Sequence, residues 1–154
     1  MRNISFSPPD ITELEIEEVC EALRSGWITT GPRTKTFEKR IAEYVGVGMT
    51  EKGTPRCVCL SSQTACAEMA LHILGIGPGD EVITTVYTYT ATASVVCHVG
   101  AKLVLIDTQK NSLEMDYDAV EMAFNEHTKA IIPVDLGGVT CDYDRLAAIV
   151  NSKR

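Results

Sequence analysis

Hydrophobic and polar positions change period several times along these 154 residues. After the segment Ser7-Pro8-Pro9-Asp10, apolar Ile11, Leu14, Val19 and Leu23 recur at near-helical spacing, and Gly26 supplies the stop. Phe37, Ile41 and Val45 follow at i, i+4 and i+8, which predicts a second helix over 35–45 closed by Gly46. From there short apolar runs alternate with helical patterns. CVCL at 57–60 predicts a strand, Gln63 to Leu74 a helix, and EVITTV at 81–86 a buried strand. ATASVVCHV at 91–99 reads as a helix of small residues ended by Gly100, and KLVLI at 102–106 as the next strand. Asp116 is placed to cap a helix over 117–127, KAIIPVDL at 129–136 predicts a strand, and Asp142 is placed to cap a helix over 143–153.

Strand and helix in repeated alternation predict an α/β protein with a mostly parallel sheet of about four strands. Crossover helices on both faces make it a three-layer α/β/α arrangement. The expected division is a helical segment over 1–50 and a βαβ core over 51–154, with no internal repeat or low-complexity linker.

Charge narrows the function classes. Lys and Arg number 14 against 21 Asp and Glu, a formal charge of -7, and no basic run is present. That balance argues against nucleic acid as a partner. No apolar stretch reaches the roughly 18 residues of a membrane span, and the first residues lack an apolar core of signal-peptide length, so a cytoplasmic location is expected. Of six cysteines only Cys57 and Cys59 are close in sequence, and His72, His98 and His127 are scattered. No metal site is expected from that spacing; the cysteines read as reduced residues in apolar company.

Parallel α/β sheets bind ligands at the carboxyl ends of their strands. The segment LSSQTACAEMALHIL, 60–74, puts a turn at such an end, directly before a helix. Ser61 and Ser62 are candidate N-caps, and Gln63, Thr64 and Ala65 carry the N–H groups of the first turn. Two readings stand side by side: a helix that is merely capped, or a helix start that holds an anion. The segment is not a P-loop, because the G-x-x-x-x-G-K-[ST] pattern is absent. Downstream, Tyr87 and Tyr89 alternate with threonines after the 81–86 strand. Either their hydroxyls face solvent, or one ring stacks on a flat heterocycle.

Taken in order, four segments carry a resemblance: SGWITTGPRTKTFEKRIAEYVG (25–46), SSQTACAEMALHILGIGPGDEVITT (61–85), YTATASVVCHVGAKLVLIDT (89–108) and TKAIIPVDLGGVTCDYD (128–144). Together they resemble the DegT/DnrJ/StrS group of sugar aminotransferases, pyridoxal-phosphate enzymes of fold type I. The resemblance runs from about Pro9 to Arg154 and implies the N-terminal part of that fold's large domain. It places the phosphate-holding turn on Ser61, Ser62, Gln63, Thr64 and Ala65, with Gln63 where many members have glycine, and the residue stacking on the pyridine ring on Tyr89. Trp27, Thr29 and Thr30, in the segment Gly26 to Pro32 near the active-site entrance, are implied substrate contacts. Asp135 and Gly137 stand where many relatives have histidine and tyrosine.

For the complete enzyme the resemblance implies pyridoxal 5'-phosphate as cofactor. The implied reaction is amino transfer from an amino acid, commonly glutamate, to a nucleotide-linked keto-sugar, and the implied assembly is a homodimer. The family's Schiff-base lysine and the carboxylate at the pyridine nitrogen are expected beyond Arg154, so no catalytic residue is assigned among residues 1–154. The seven lysines (35, 39, 52, 102, 110, 129 and 153) fall outside that lysine motif, and these residues alone are expected to be inactive, with weak or absent cofactor binding. A sugar dehydratase of the same family, and a non-catalytic dimerising or phosphate-binding fragment, are the alternatives.

Overall fold

In the computed structural model, which describes residues 7–46 and 55–153, the strand Glu81–Thr85 (β1) is buried at all five positions. It owes this to being the middle strand. Lys102–Ile106 (β2) pairs with it in parallel on one side and Thr128–Ile132 (β3) on the other, in the order β2-β1-β3. Successive side chains on a strand face opposite ways. Val82 therefore packs with Leu103 and Ala130 on one face, while Ile83 packs with Val104 and Ile131 on the other.

Each face is covered by helices. On the Val82 side, Leu71 of Gln63–Ile73 (α3) and Val95 and Val96 of Thr90–His98 (α4) close a core. On the Ile83 side, Tyr117 and Val120 of Tyr117–Ala123 (α5) and Leu146 and Ile149 of Tyr143–Lys153 (α6) close a second. The expected three layers are present, with a sheet that is parallel throughout.

The chain forms two compact units, divided between Cys59 and Leu60. In the first, Glu13–Arg24 (α1) starts at Thr12, whose hydroxyl accepts from Leu14 N–H at 3.2 Å while Glu15 Oε2 accepts from Thr12 N–H at 2.6 Å. This reciprocal cap fixes the helix start. Pro32–Val45 (α2) begins three residues earlier than the apolar spacing predicts. Pro32 explains that: its ring presets the backbone angle for a first helical position and its missing N–H is not needed there. Arg33 joins the two helices through Glu18 at 3.0 Å and Glu21 at 3.1 Å.

Three further expected elements differ. The 57–60 run is not part of the sheet, which among the described residues has three strands and not four; Cys59 N–H is donated to Glu38 Oε1 at 3.0 Å. β3 stops at Ile132 and not at 136, because Pro133 has no N–H to continue a ladder. α5 stops at Ala123 and not at 127. Asn125 ends it by turning toward the sheet, where its amide donates to Glu81 Oε2 at 2.7 Å and its carbonyl accepts from His127 N–H at 2.8 Å. No helix among the described residues is long and apolar enough to cross a membrane.

Candidate functional site

Three chain segments leave the carboxyl ends of β1 and β3 or start α3, and they converge on a cavity of about 400 Å³. That is within the usual range for a small-molecule site. Gln63 and Ala67 come from α3, Thr88, Tyr89 and Thr92 from the β1–α4 connection, and Pro133 to Leu136 from the segment after β3.

At the α3 start, Ser62 is the N-cap in extended conformation, and its Oγ accepts from Ala65 N–H at 3.1 Å. The hydroxyl thus satisfies one of the helix's orphan donors. Among the described residues, the N–H groups of Gln63 and Thr64 have no hydrogen-bond partner in the fold. These two donors lie at the positive end of an 11-residue helix dipole. Capping and anion holding, alternatives in the sequence, are here compatible: Ser62 caps, and two donors are left over. Ser61 and Ala65 line a separate hollow of about 270 Å³ with Glu68, Met69 and His72.

After β1 the chain bends at 86–88 and enters α4 at Thr90, with Tyr89 as its N-cap residue. Tyr89 lines the cavity and leaves 82% of its surface exposed, so its ring is available to a ligand. Tyr87 is not among the cavity's lining residues; its N–H is donated to Thr85 Oγ1 at 3.3 Å. Thr88 and Thr92 are joined hydroxyl to hydroxyl at 2.9 Å, tying the bend to the first turn of α4.

The segment after β3 adds Asp135, which the sequence singled out only as a departure from its relatives. Cys141 N–H donates to its Oδ1 at 2.9 Å and Tyr143 Oη–H to its Oδ2 at 3.1 Å. The Cys141 hydrogen bond, then that from Tyr143, holds the carboxyl below the usual carboxylate range. Burial first, and the carboxylate second, push the Tyr143 phenol up. Expecting a strand through 136 hid this residue; the signal that finds it is Pro133 ending the strand just before it, so that Asp135 falls at a carboxyl end.

Trp27, Thr29 and Thr30 belong to the N-terminal unit and make a turn of their own there. The Trp27 indole N–H donates to the Thr30 carbonyl at 3.0 Å, and all three residues are exposed. Of the candidate residues, the structure brings Gln63 and Tyr89 to one cavity, with Ser62 and Thr64 beside Gln63 at the α3 start.

Comparison with known proteins bears on this geometry. The model of the DegT/DnrJ/EryC1/StrS aminotransferase family matches residues 9–154. The spore coat polysaccharide biosynthesis protein SpsC of Bacillus subtilis (strain 168) is 40% identical over 149 residues, which are 97% of this chain and 36% of SpsC. The UDP-4-amino-4-deoxy-L-arabinose--oxoglutarate aminotransferase of Shewanella sediminis (strain HAW-EB3) is 41% identical over 138 residues, 90% of this chain and 34% of that protein. Among solved structures, Streptococcus pneumoniae Spr1654, assigned as a sugar aminotransferase, superimposes with a TM-score of 0.89 at 55% identity in its PMP form, over 98% of this chain and 36% of that one. Its PLP form gives the same TM-score. The chain therefore spans about a third of the length of the relatives it matches. Such relatives are pyridoxal-phosphate enzymes of fold type I, and the three-layer parallel architecture agrees with theirs. With a family match over almost its whole length, the chain belongs to the DegT/DnrJ/EryC1/StrS aminotransferase family.

Proposed function

We propose that these residues form the phosphate- and ring-holding part of a pyridoxal-phosphate aminotransferase that acts on a nucleotide-linked keto-sugar, with an amino acid such as glutamate as donor. The observation that carries the reading is the meeting of Gln63 and Tyr89 on one cavity: a helix start with two spare N–H groups beside an exposed aromatic ring. That donor set fits the cofactor. A phosphate dianion matches the helix N-terminus, and a flat pyridine matches the face of Tyr89. When bound, pyridoxal phosphate supplies the electron sink of amino transfer. The chain's own contribution is to orient it, through the N–H groups of Gln63 and Thr64, the Thr64 hydroxyl and the Tyr89 ring. Ser62 keeps that helix start in place, and the small side chain of Ala65 leaves room for close approach. Trp27, Thr29 and Thr30 are proposed as substrate contacts, on the family resemblance.

A cofactor titration of the complete enzyme freed of cofactor, read by the circular dichroism induced in the pyridoxal-phosphate absorption band, tests this. Thr64→Val removes one hydroxyl and Tyr89→Ala the stacking ring. Each is expected to weaken binding by about 2–10-fold, the equivalent of roughly 0.5–1.5 kcal/mol. Inorganic phosphate should compete. Unchanged affinity in both variants overturns the assignment.

Amino transfer itself needs more than these groups. None of the lysines among the described residues lines the cavity, and Lys102 is engaged with Glu81 at 2.6 Å at the amino end of the sheet. Residues 1–154 by themselves are therefore expected to show no glutamate-dependent turnover, since residues of one site act as a unit. Borohydride reduction with pyridoxal phosphate should label exposed lysines sparsely; one stoichiometric pyridoxyl-lysine together with turnover would refute this. Homodimer formation is part of the same proposal. It is supported by the apolar side chains of Ile11, just before the first helix, and Leu14, Val19 and Leu23 along it, each at least 59% exposed. Light scattering that finds a single monomer across a wide concentration range counts against it.

A further inference from the structure

The cavity has two electrically unlike walls. On the α3 side lies Gln63, whose spare N–H, with that of the adjacent Thr64, stands at the positive end of a helix dipole. On the β3 side lies Asp135, and among the described residues no lysine, arginine or histidine lines the cavity beside it. Its carboxylate does not swing freely, because each oxygen is held by a different donor, Oδ1 by Cys141 N–H at 2.9 Å and Oδ2 by Tyr143 Oη–H at 3.1 Å. The same two donors favour the ionised form at neutral pH. An ionised carboxylate has about four acceptor sites, so two donors leave it able to accept more.

We propose that Asp135 is a specificity-determining residue: it takes the cationic, hydrogen-bond-donating end of the ligand whose anionic end lies on α3, and so favours an ammonium-bearing phosphopyridoxyl compound over its neutral counterpart. The inference rests on the cofactor reading given above and adds to it a preference that neither helix start nor tyrosine provides. A neutral ligand would desolvate the carboxylate without giving it a charged partner, whereas an ammonium makes a charge-assisted hydrogen bond, about twice as strong as a neutral one. The polarity of the cavity also sets the ligand's direction, since a reversed ligand would bring phosphate to carboxylate.

The probes are pyridoxamine 5'-phosphate and pyridoxine 5'-phosphate, which differ in one substituent, ammonium against hydroxyl. Neither carries an aldehyde that could react with surface lysines. Calorimetric titration of the unaltered chain, in the complete enzyme freed of cofactor, at neutral pH should find the amine bound about tenfold more tightly, the low end for a hydrogen bond to a charged group. Asp135→Asn keeps an acceptor for Cys141 N–H and removes the charge. It should bring the ratio to about one. Tyr143→Phe loosens the carboxylate but keeps its charge, so a preference of at least about threefold should survive. A ratio near one in the unaltered chain overturns the inference whatever the variants do. So does a tenfold ratio that Asp135→Asn leaves intact, or one that Tyr143→Phe abolishes as completely as Asp135→Asn does. If the unaltered chain, in the complete enzyme, binds neither compound, the cofactor reading falls, and this inference falls with it.

Discussion

At the scale of single residues, close approach decides more than charge does. Gly31 is an example. Its backbone is extended, a conformation open to any residue, yet a Cβ there would lie 1.9 Å from Nε1 of Trp27. The glycine is needed because the indole rests on it while donating to the Thr30 carbonyl. Gly31→Ala must therefore push the ring off its turn. Trp27 is the only tryptophan in the sequence, so its fluorescence reports this without interference. The expected result is a red shift of the emission toward that of a fully solvated indole; an unchanged spectrum would show that the ring does not depend on the glycine. Asp116 is the electrostatic counterpart. Its Oδ1 accepts from Asp118 N–H at 3.0 Å and Ala119 N–H at 3.2 Å, and Asp116→Ala should cost about 1 kcal/mol in urea unfolding, the usual loss for a helix cap.

At the scale of elements, β1 carries the fold. It is flanked on both sides by parallel partners and covered on both faces, so Val82 and Ile83 are each 0% exposed although they point in opposite directions. Ile83→Ala empties a site walled by Met115, Tyr117 and Val120 among others, and should destabilise by about 2–5 kcal/mol. Ile83→Val should cost only about 1 kcal/mol. A chemical melt in which the two variants were equally stable would mean that the strand is less tightly packed than its burial implies. Helix α4 shows the complementary point: Thr90, Thr92, Ser94, Val95, Val96 and Cys97 have modest helix propensity, and the helix is held by packing Val95 and Val96 against the sheet.

At the scale of the whole C-terminal unit, one carboxylate ties together the amino ends of the sheet. Glu81, 7% exposed, accepts from Lys102 Nζ at 2.6 Å and from Asn125 Nδ2 at 2.7 Å, while its own N–H donates to the His127 carbonyl at 2.7 Å. It thereby links β1 to the start of β2 and to the turn before β3. The Lys102 hydrogen bond first, then that from Asn125, hold its carboxyl below its ordinary value of 4.5. A group whose pKa falls on folding adds stability that is present above the unfolded value and lost as pH drops through the folded one. The unit should therefore be at full strength at neutral pH and weaken below about pH 4.5, as Glu81 takes up a proton. Glu81→Gln should lower the melting temperature at pH 7 and flatten the acid limb of the melting-temperature profile. An acid limb identical to that of the unaltered chain would assign the acid sensitivity to other carboxylates.

What the sequence determined by itself is the local and periodic part of this protein. Alternating apolar runs and helical stripes gave the α/β class, and Asp116 and Asp142 were legible as helix starts because a cap bonds within its own turn. The Ser62 cap was legible for the same reason, and four ordered motifs pointed to the aminotransferase family that the comparisons establish. Only the tertiary structure decided the rest, because those outcomes depend on partners distant in sequence. A run such as 57–60 has the composition of a strand, but pairing in a sheet requires a neighbouring strand, and Glu38 accepts the Cys59 N–H. α5 ends where Asn125 finds Glu81, 44 positions before it in the chain. Gln63, Tyr89 and Asp135 share a cavity only because β3 lies next to β1, with β2 on the far side; no local pattern encodes that strand order, which follows from how two buried faces can both be covered.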